Sequence, residues 1–173
     1  MHLYAKLAHS ITSIFRKRKL IKHKRDKNSR GEHTLIPFGE PAAALCKTEK
    51  AQLRKLIGIA NSMSHGTNFV LLLNQQVDRQ RLLPACINAM LRSNDRIATA
   101  SKPGIEMLLL LCGKSDISEA ISKCGASGNS FIVFATSSKL LQRFLERSGL
   151  KHAKQIKLRL DFGAAARVAE LDA

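Results

Sequence analysis

The feature that most restricts how this chain folds is the run from Ser101 to Gly125, SKPGIEMLLLLCGKSDISEAISKCG, where two apolar segments are fenced by residues that start and stop helices. Pro103 suits a first helical position, because the N–H it lacks would be unpaired there anyway, and Gly113 suits the left-handed residue just past a helix end. Asp116 is the expected cap of a second helix, with Glu119 in capping-box register and Gly125 as terminator; Ile117, Ala120 and Ile121 are expected on its inner face. Two short helices should therefore meet at Gly113-Lys114-Ser115. Met107 to Cys112 is the longest uninterrupted apolar stretch, far short of the roughly 18 residues of a membrane-spanning helix, so a soluble protein is expected.

The flanking segments supply elements for this pair to pack on. A strand is expected at His33 to Phe38, closed by Gly39-Glu40-Pro41. Thr48 is the expected N-cap of a helix whose buried stripe is Leu53, Leu56, Ile57 and Ala60. Thr67 to Leu73 reads as a buried strand. Asp78 can cap a helix running to about Ser93 with Leu82, Leu83, Cys86, Ala89 and Met90 inward; Pro84 implies either a loose first turn or a regular helix starting near Leu83. Ser130 to Thr136 reads as a central strand, Ser137 or Ser138 starts a helix that Gly149 ends, and Lys154 to Leu160 alternates as a half-exposed strand. A last helix carries Ala164 to Ala166, Val168 and Leu171. Strands interleaved with helices imply an α/β fold, a mixed β-sheet covered by helices in a single domain.

With 173 residues the chain has the length of one domain, so a two-domain enzyme is not expected. Its 29 Lys+Arg against 13 Asp+Glu give a net charge of +16 and a pI near 10.3. The excess is uneven: residues 1 to 30 hold ten Lys/Arg against Asp26 alone, or +9, and the remaining 143 carry +7. Residues 1–31 are read as a basic, flexible extension and residues 32–173 as the globular domain. Three readings of the extension stay open: a solvated tail, an arm that binds RNA phosphates by releasing counterions, and a transit peptide. No secretory h-region is evident.

Cys46, Cys86, Cys112 and Cys124 form no Cys-x-x-Cys pair and have no His at zinc-finger spacing, so buried, unreactive thiols in a reducing compartment are expected. The six His are scattered, which gives metal binding little support, and no cofactor is expected. Three short motifs imitate chemistry. Gly113-Lys114-Ser115 looks like the end of a phosphate loop, but Leu108 stands where that loop needs Gly, and a helix precedes it where a strand should. Asp161-Phe162-Gly163 lacks the other kinase motifs. Gly125-Ala126-Ser127-Gly128 ends a helix and enters a strand, the reverse of a dinucleotide site. Most acids have structural roles as caps or turns; Glu106, in the first turn of an apolar helix, can favour its positive end. With Tyr4 as the only Tyr and no Trp, a base-stacking platform is poorly supplied, so nucleic-acid binding would rest on charge.

From Glu106 through Gly113-Lys114, Ile117, Ala120-Ile121 and Gly125 the sequence resembles the small kinase-binding subunit of the KEOPS tRNA-modification complex. The strand Asn68 to Leu73 with Asn74, the Leu82-Leu83-x-Ala85 segment and the strand Phe131 to Phe134 extend the likeness over roughly Thr34 to the C-terminus. Members usually carry Arg-Gln or a similar pair where this chain has Ser115-Asp116, a departure that weakens the nucleic-acid side. The resemblance implies a non-catalytic protein with two partners: a small atypical kinase acting as an ATPase, and tRNA, which the subunit helps recruit by its 3′ CCA end for threonylcarbamoyl-adenosine formation at position 37. Arg92, Arg96, Lys102, Lys114 and Lys123 are the candidate tRNA contacts, expected to cluster around the inter-helix turn. Val168 and Leu171 are the candidate kinase-docking residues. The expected location is cytoplasmic, or nuclear in a eukaryote. A stand-alone basic RNA-binding protein is the alternative, and a small enzyme the weaker rival.

Overall fold

In the computed structural model, which describes residues 39–150 and 152–159, the chain runs through β1 (Ala42–Lys47), a 3-10 turn (Lys50–Gln52), α1 (Leu53–Met63), β2 (Val70–Asn74), α2 (Arg79–Asn94), α3 (Pro103–Cys112), α4 (Ile117–Cys124), β3 (Ser130–Ala135), α5 (Ser138–Ser148) and β4 (Ala153–Ile156). The fold is α/β, a sheet covered by helices, as expected. The sheet order is β2-β3-β1-β4, and every pairing among the described strands is antiparallel, where the interleaved pattern had suggested a mixed sheet. Interleaving alone fixes neither a strand's neighbour nor its direction.

At the centre lies β3, whose sequence SFIVFA favours extended backbone through its β-branched and aromatic side chains. Phe131, Ile132, Val133, Phe134 and Ala135 are all fully buried, so both faces of the strand are covered. On one face Phe131, Val133 and Ala135 pack with Ala42, Ala44 and Cys46 of β1, Leu53, Leu56 and Ala60 of α1, and Leu141 and Phe144 of α5. On the other, Phe134 pairs its ring with Phe69 at a centroid distance of 6.2 Å. There α3 comes so close that a Cβ added to Gly104 would meet the Phe69 ring at 3.3 Å. Full burial of Phe131, Phe134 and Phe144 contributes roughly 1.5–3 kcal/mol each.

Several expectations need correction. β1 was not foreseen, because AAALCK is poor in the residues that favour strands and sits beside Pro41. Thr48 does not cap α1: its hydroxyl donates to Gln52 Oε1 at 2.9 Å, a 3-10 turn intervenes, and Ile57 faces solvent at 41% exposure. The second strand is Val70–Asn74, later than its expected span. α2 begins at Arg79 and carries Pro84 within it, buried. The bond that Pro84 cannot donate would have gone to the carbonyl of Gln80, an exposed residue in the first turn of the helix. β4 is shorter than its predicted span, though Ile156 and Leu158 remain half-buried between exposed neighbours. The expected strand at 33–38, the boundary at 31/32 and the final helix lie outside the described residues. No helix among those described is long and apolar enough to cross a membrane.

Candidate functional site

The elbow between α3 and α4 is built from local chemistry. Gly113 takes φ 62°, a left-handed conformation open to glycine at little cost, and both its N–H and that of Lys114 donate to the Leu109 carbonyl. Arg81 of α2 donates through Nη2 to the Leu110 carbonyl at 3.0 Å, placing a guanidinium on the negative end of α3. α4 starts as expected, with Asp116 Oδ1 accepting the Glu119 N–H at 2.8 Å. The Glu119 carboxylate meets the Lys114 ammonium at 2.8 Å. This hydrogen bond, with the Coulomb attraction behind it, raises the Lys114 pKa; both side chains are exposed, so water screens the pair.

Two expectations fail here. Ala120 and Cys124 are the buried side of α4, whereas Ile117 and Ile121 are 43% and 51% exposed. In a helix of eight residues the four positions span an arc of about 100°, and only one edge of that arc meets the protein. Nor are all four cysteines free: Cys112 and Cys124, at the ends of α3 and α4, are joined as a disulfide with a Cα–Cα distance of 6.2 Å. The reversal at Gly113 brings the two helix ends together, so a search for short Cys spacings passed over the pair. Disulfides are uncommon in reducing compartments, so the bond removes the ground on which that compartment was expected. Cys46 and Cys86 are free and buried, and burial pushes their thiols up to about 11 and about 12.

A second constellation lies at the other end of α3. Glu106 is 1% exposed; its Oε1 faces Arg92 Nε at 3.0 Å and its Oε2 accepts the Ala100 N–H at 2.8 Å. Glu106 thus ties α3 to α2 and to the loop between them, which is more than the favourable placement in a first turn that the sequence suggested. Arg96 is exposed with φ 58° in the turn after α2, and the exposed Lys102 precedes Pro103 as the N-cap residue. The five candidate cations therefore form two groups: Arg92, Arg96 and Lys102 at the start of α3, and Lys114 in the elbow with Lys123 in the last turn of α4, next to the Cys124 that is bonded to Cys112. Ten residues of helix separate the groups by about 15 Å. Of the five, Arg92 is committed to a buried carboxylate. Val168 and Leu171 lie outside the described residues.

Two of the three imitative motifs are connections between elements. Leu108 and its neighbours are helical up to Gly113, and the segment after α4 is tied to β2 through the Ala126 N–H, which donates to the Leu72 carbonyl at 3.1 Å. Asp161-Phe162-Gly163 is outside the described residues. Among those described, no group of three or more His, Cys, Asp or Glu is placed to hold a metal ion. Sequence reasoning missed Arg81 and the Cys112–Cys124 pair: the first acts only once α2 has packed on α3, and the second only once the chain has reversed at Gly113. Compared with known proteins, the chain matches no protein-family model, and no curated protein matches it either.

Proposed function

We propose that the chain is a non-catalytic subunit of a KEOPS-type complex, which binds the complex's small atypical kinase and helps bring tRNA, by its 3′ CCA end, to threonylcarbamoyl-adenosine formation at position 37. The observation that carries the reading is the elbow. The residues on which the resemblance rests are a packed unit, with Met107 to Cys112 buried and Lys114 and Lys123 left exposed on its rim. Lysines so placed neutralise phosphates and supply affinity without reading bases. Asp116, which stands where the family usually has the second residue of its Arg-Gln pair, is used as a helix cap, so the tRNA side of the elbow leans on these two lysines. Ile117 and Ile121 offer an apolar pair that a protein partner would cover, and Val168 and Leu171 remain the candidate kinase contacts.

Co-purification of the full chain with a KEOPS-type kinase, with intact tRNA and with tRNA lacking its CCA end, tests both halves. The expected result is a retained kinase and a preference for the intact tRNA. Retention of RNA without the kinase, at a level that falls steeply with salt, would favour the stand-alone RNA-binding reading, which the net charge of +16 supports. If neither is retained, both readings fail.

A further inference from the structure

On the opposite layer of the molecule, α5 carries Lys139, Arg143 and Arg147 at successive four-residue steps, all exposed. Four residues of helix advance about 6 Å, so the three cations form one ridge. Arg143 and Arg147 also line a groove of about 430 Å³ between α5 and the end of α1, whose other walls are Ser62, Met63, Leu140 and Glu146. Among the described residues neither guanidinium has an ion-pair partner. The one carboxylate in the groove, Glu146, accepts from Gln142 Nε2 at 3.0 Å. The negative end of α1 is blunted as well, because the Ser62 and Ser64 hydroxyls donate to the Ile59 and Ala60 carbonyls at 2.8 Å each.

We propose that this α1–α5 groove is a second RNA-binding surface, in which Arg143 and Arg147 hold the phosphodiester backbone at a site separate from the elbow. A guanidinium presents a planar fork of donors that matches phosphate oxygens two at a time. Two such forks one turn apart beside a groove suit consecutive phosphates of one strand. The chemistry disfavours other occupants. A membrane-surface helix needs large apolar side chains beside its cations, and α5 exposes none. A protein interface needs buried aromatic or aliphatic anchors, whereas this floor offers only Met63 and Leu140. The inference rests on the RNA-binding half of the function proposed above and adds to it a place where the backbone lies.

The test uses the full chain and a fluorescent tRNA, with binding measured over a series of KCl concentrations for the wild type, an Arg143→Gln/Arg147→Gln variant and a Lys114→Gln/Lys123→Gln variant, each confirmed by its melting curve. Losing two phosphate contacts should lower the magnitude of the log–log salt slope by about 1.4 to 1.8. That drop in the arginine variant supports the groove. An unchanged slope in the arginine variant, with the lysine variant still weakened, overturns the groove and leaves the RNA reading standing. Absence of salt-sensitive binding by the wild type overturns both. An arginine variant that loses binding to phosphatidylserine vesicles and keeps its RNA slope also overturns it.

Discussion

Glu106 joins three segments through one carboxylate: the first turn of α3, Arg92 near the end of α2, and the backbone of Ala100 in the loop between them. Removing it takes the buried carboxylate away from the partly buried Arg92 guanidinium and from a backbone donor, and breaking a buried pair costs at most about 3–5 kcal/mol. Glu106→Ala should therefore lower the urea midpoint sharply. Glu106→Gln, which keeps a carbonyl for Ala100, should fall between it and the wild type; equal stability of all three proteins would contradict this role. Arg92→Gln should for the same reason reduce stability more than RNA affinity, which separates Arg92 from the other candidate contacts. Cys86 makes a different kind of statement. Its thiol, ordinarily near 9.0, is pushed by burial up to about 12. The folded state holds the neutral form, so the stability it contributes is complete below pH 9 and is lost as pH rises towards about 12. At pH 8 an iodoacetamide reagent should label Cys86 only as fast as the protein opens, and labelling at the rate of a free thiol would show that the site is not closed.

The elbow brings the same reasoning to the level of elements. Any residue with a Cβ at Gly113 must hold the left-handed conformation, which costs roughly 1–2 kcal/mol, so Gly113→Ala should lose about that much in thermal or urea unfolding. The Cys112–Cys124 bond closes a short loop over the same turn, and a loop of this size is worth about 3 kcal/mol in the chain-entropy account. Reductant should lower the melting temperature of the wild type and leave a Cys112→Ser/Cys124→Ser variant unmoved; identical responses would mean that the bond carries no stability. Helix ends were the most legible part of the sequence. Asp78, Asp116 and Ser137 each accept the backbone N–H expected of a cap, and Gly113 and Gly149 take positive φ at helix ends. That chemistry is complete within four residues, so a sequence can display it. Which edge of α4 faces inward depends on what lies opposite, and Ile117 and Ile121 were misread for that reason. The Arg143 and Arg147 ridge has a four-residue period that the sequence reading passed over, and the groove beside it depends on α1.

At the level of the whole molecule, the α/β class was legible in the alternation of elements, whereas strand order and direction were not. β1 is the clearest loss: three alanines carry little strand preference, yet Ala43 and Ala44 are buried because β3 and β4 flank them in the sheet. Only the assembled sheet gives that segment its reason to be extended. A consequence follows for any chain cut short after Gly128. It retains β1 and β2, but among the described strands β2 pairs only with β3, and β1 only with β3 and β4. Such a fragment should show helical circular dichroism without a cooperative melt; a sharp transition would mean that the helices carry the fold without the sheet. The same dependence bears on how the protein is made. During synthesis β1 and β2 wait for β3 while the ribosome completes the helices between them, so the emerging polypeptide carries unpaired strand edges and bare aliphatic side chains until β3 is made. Ribosome-bound chains stopped before β3 should therefore retain chaperones that shield nascent polypeptides, and full-length chains should release them, which a pull-down of stalled ribosomes checks.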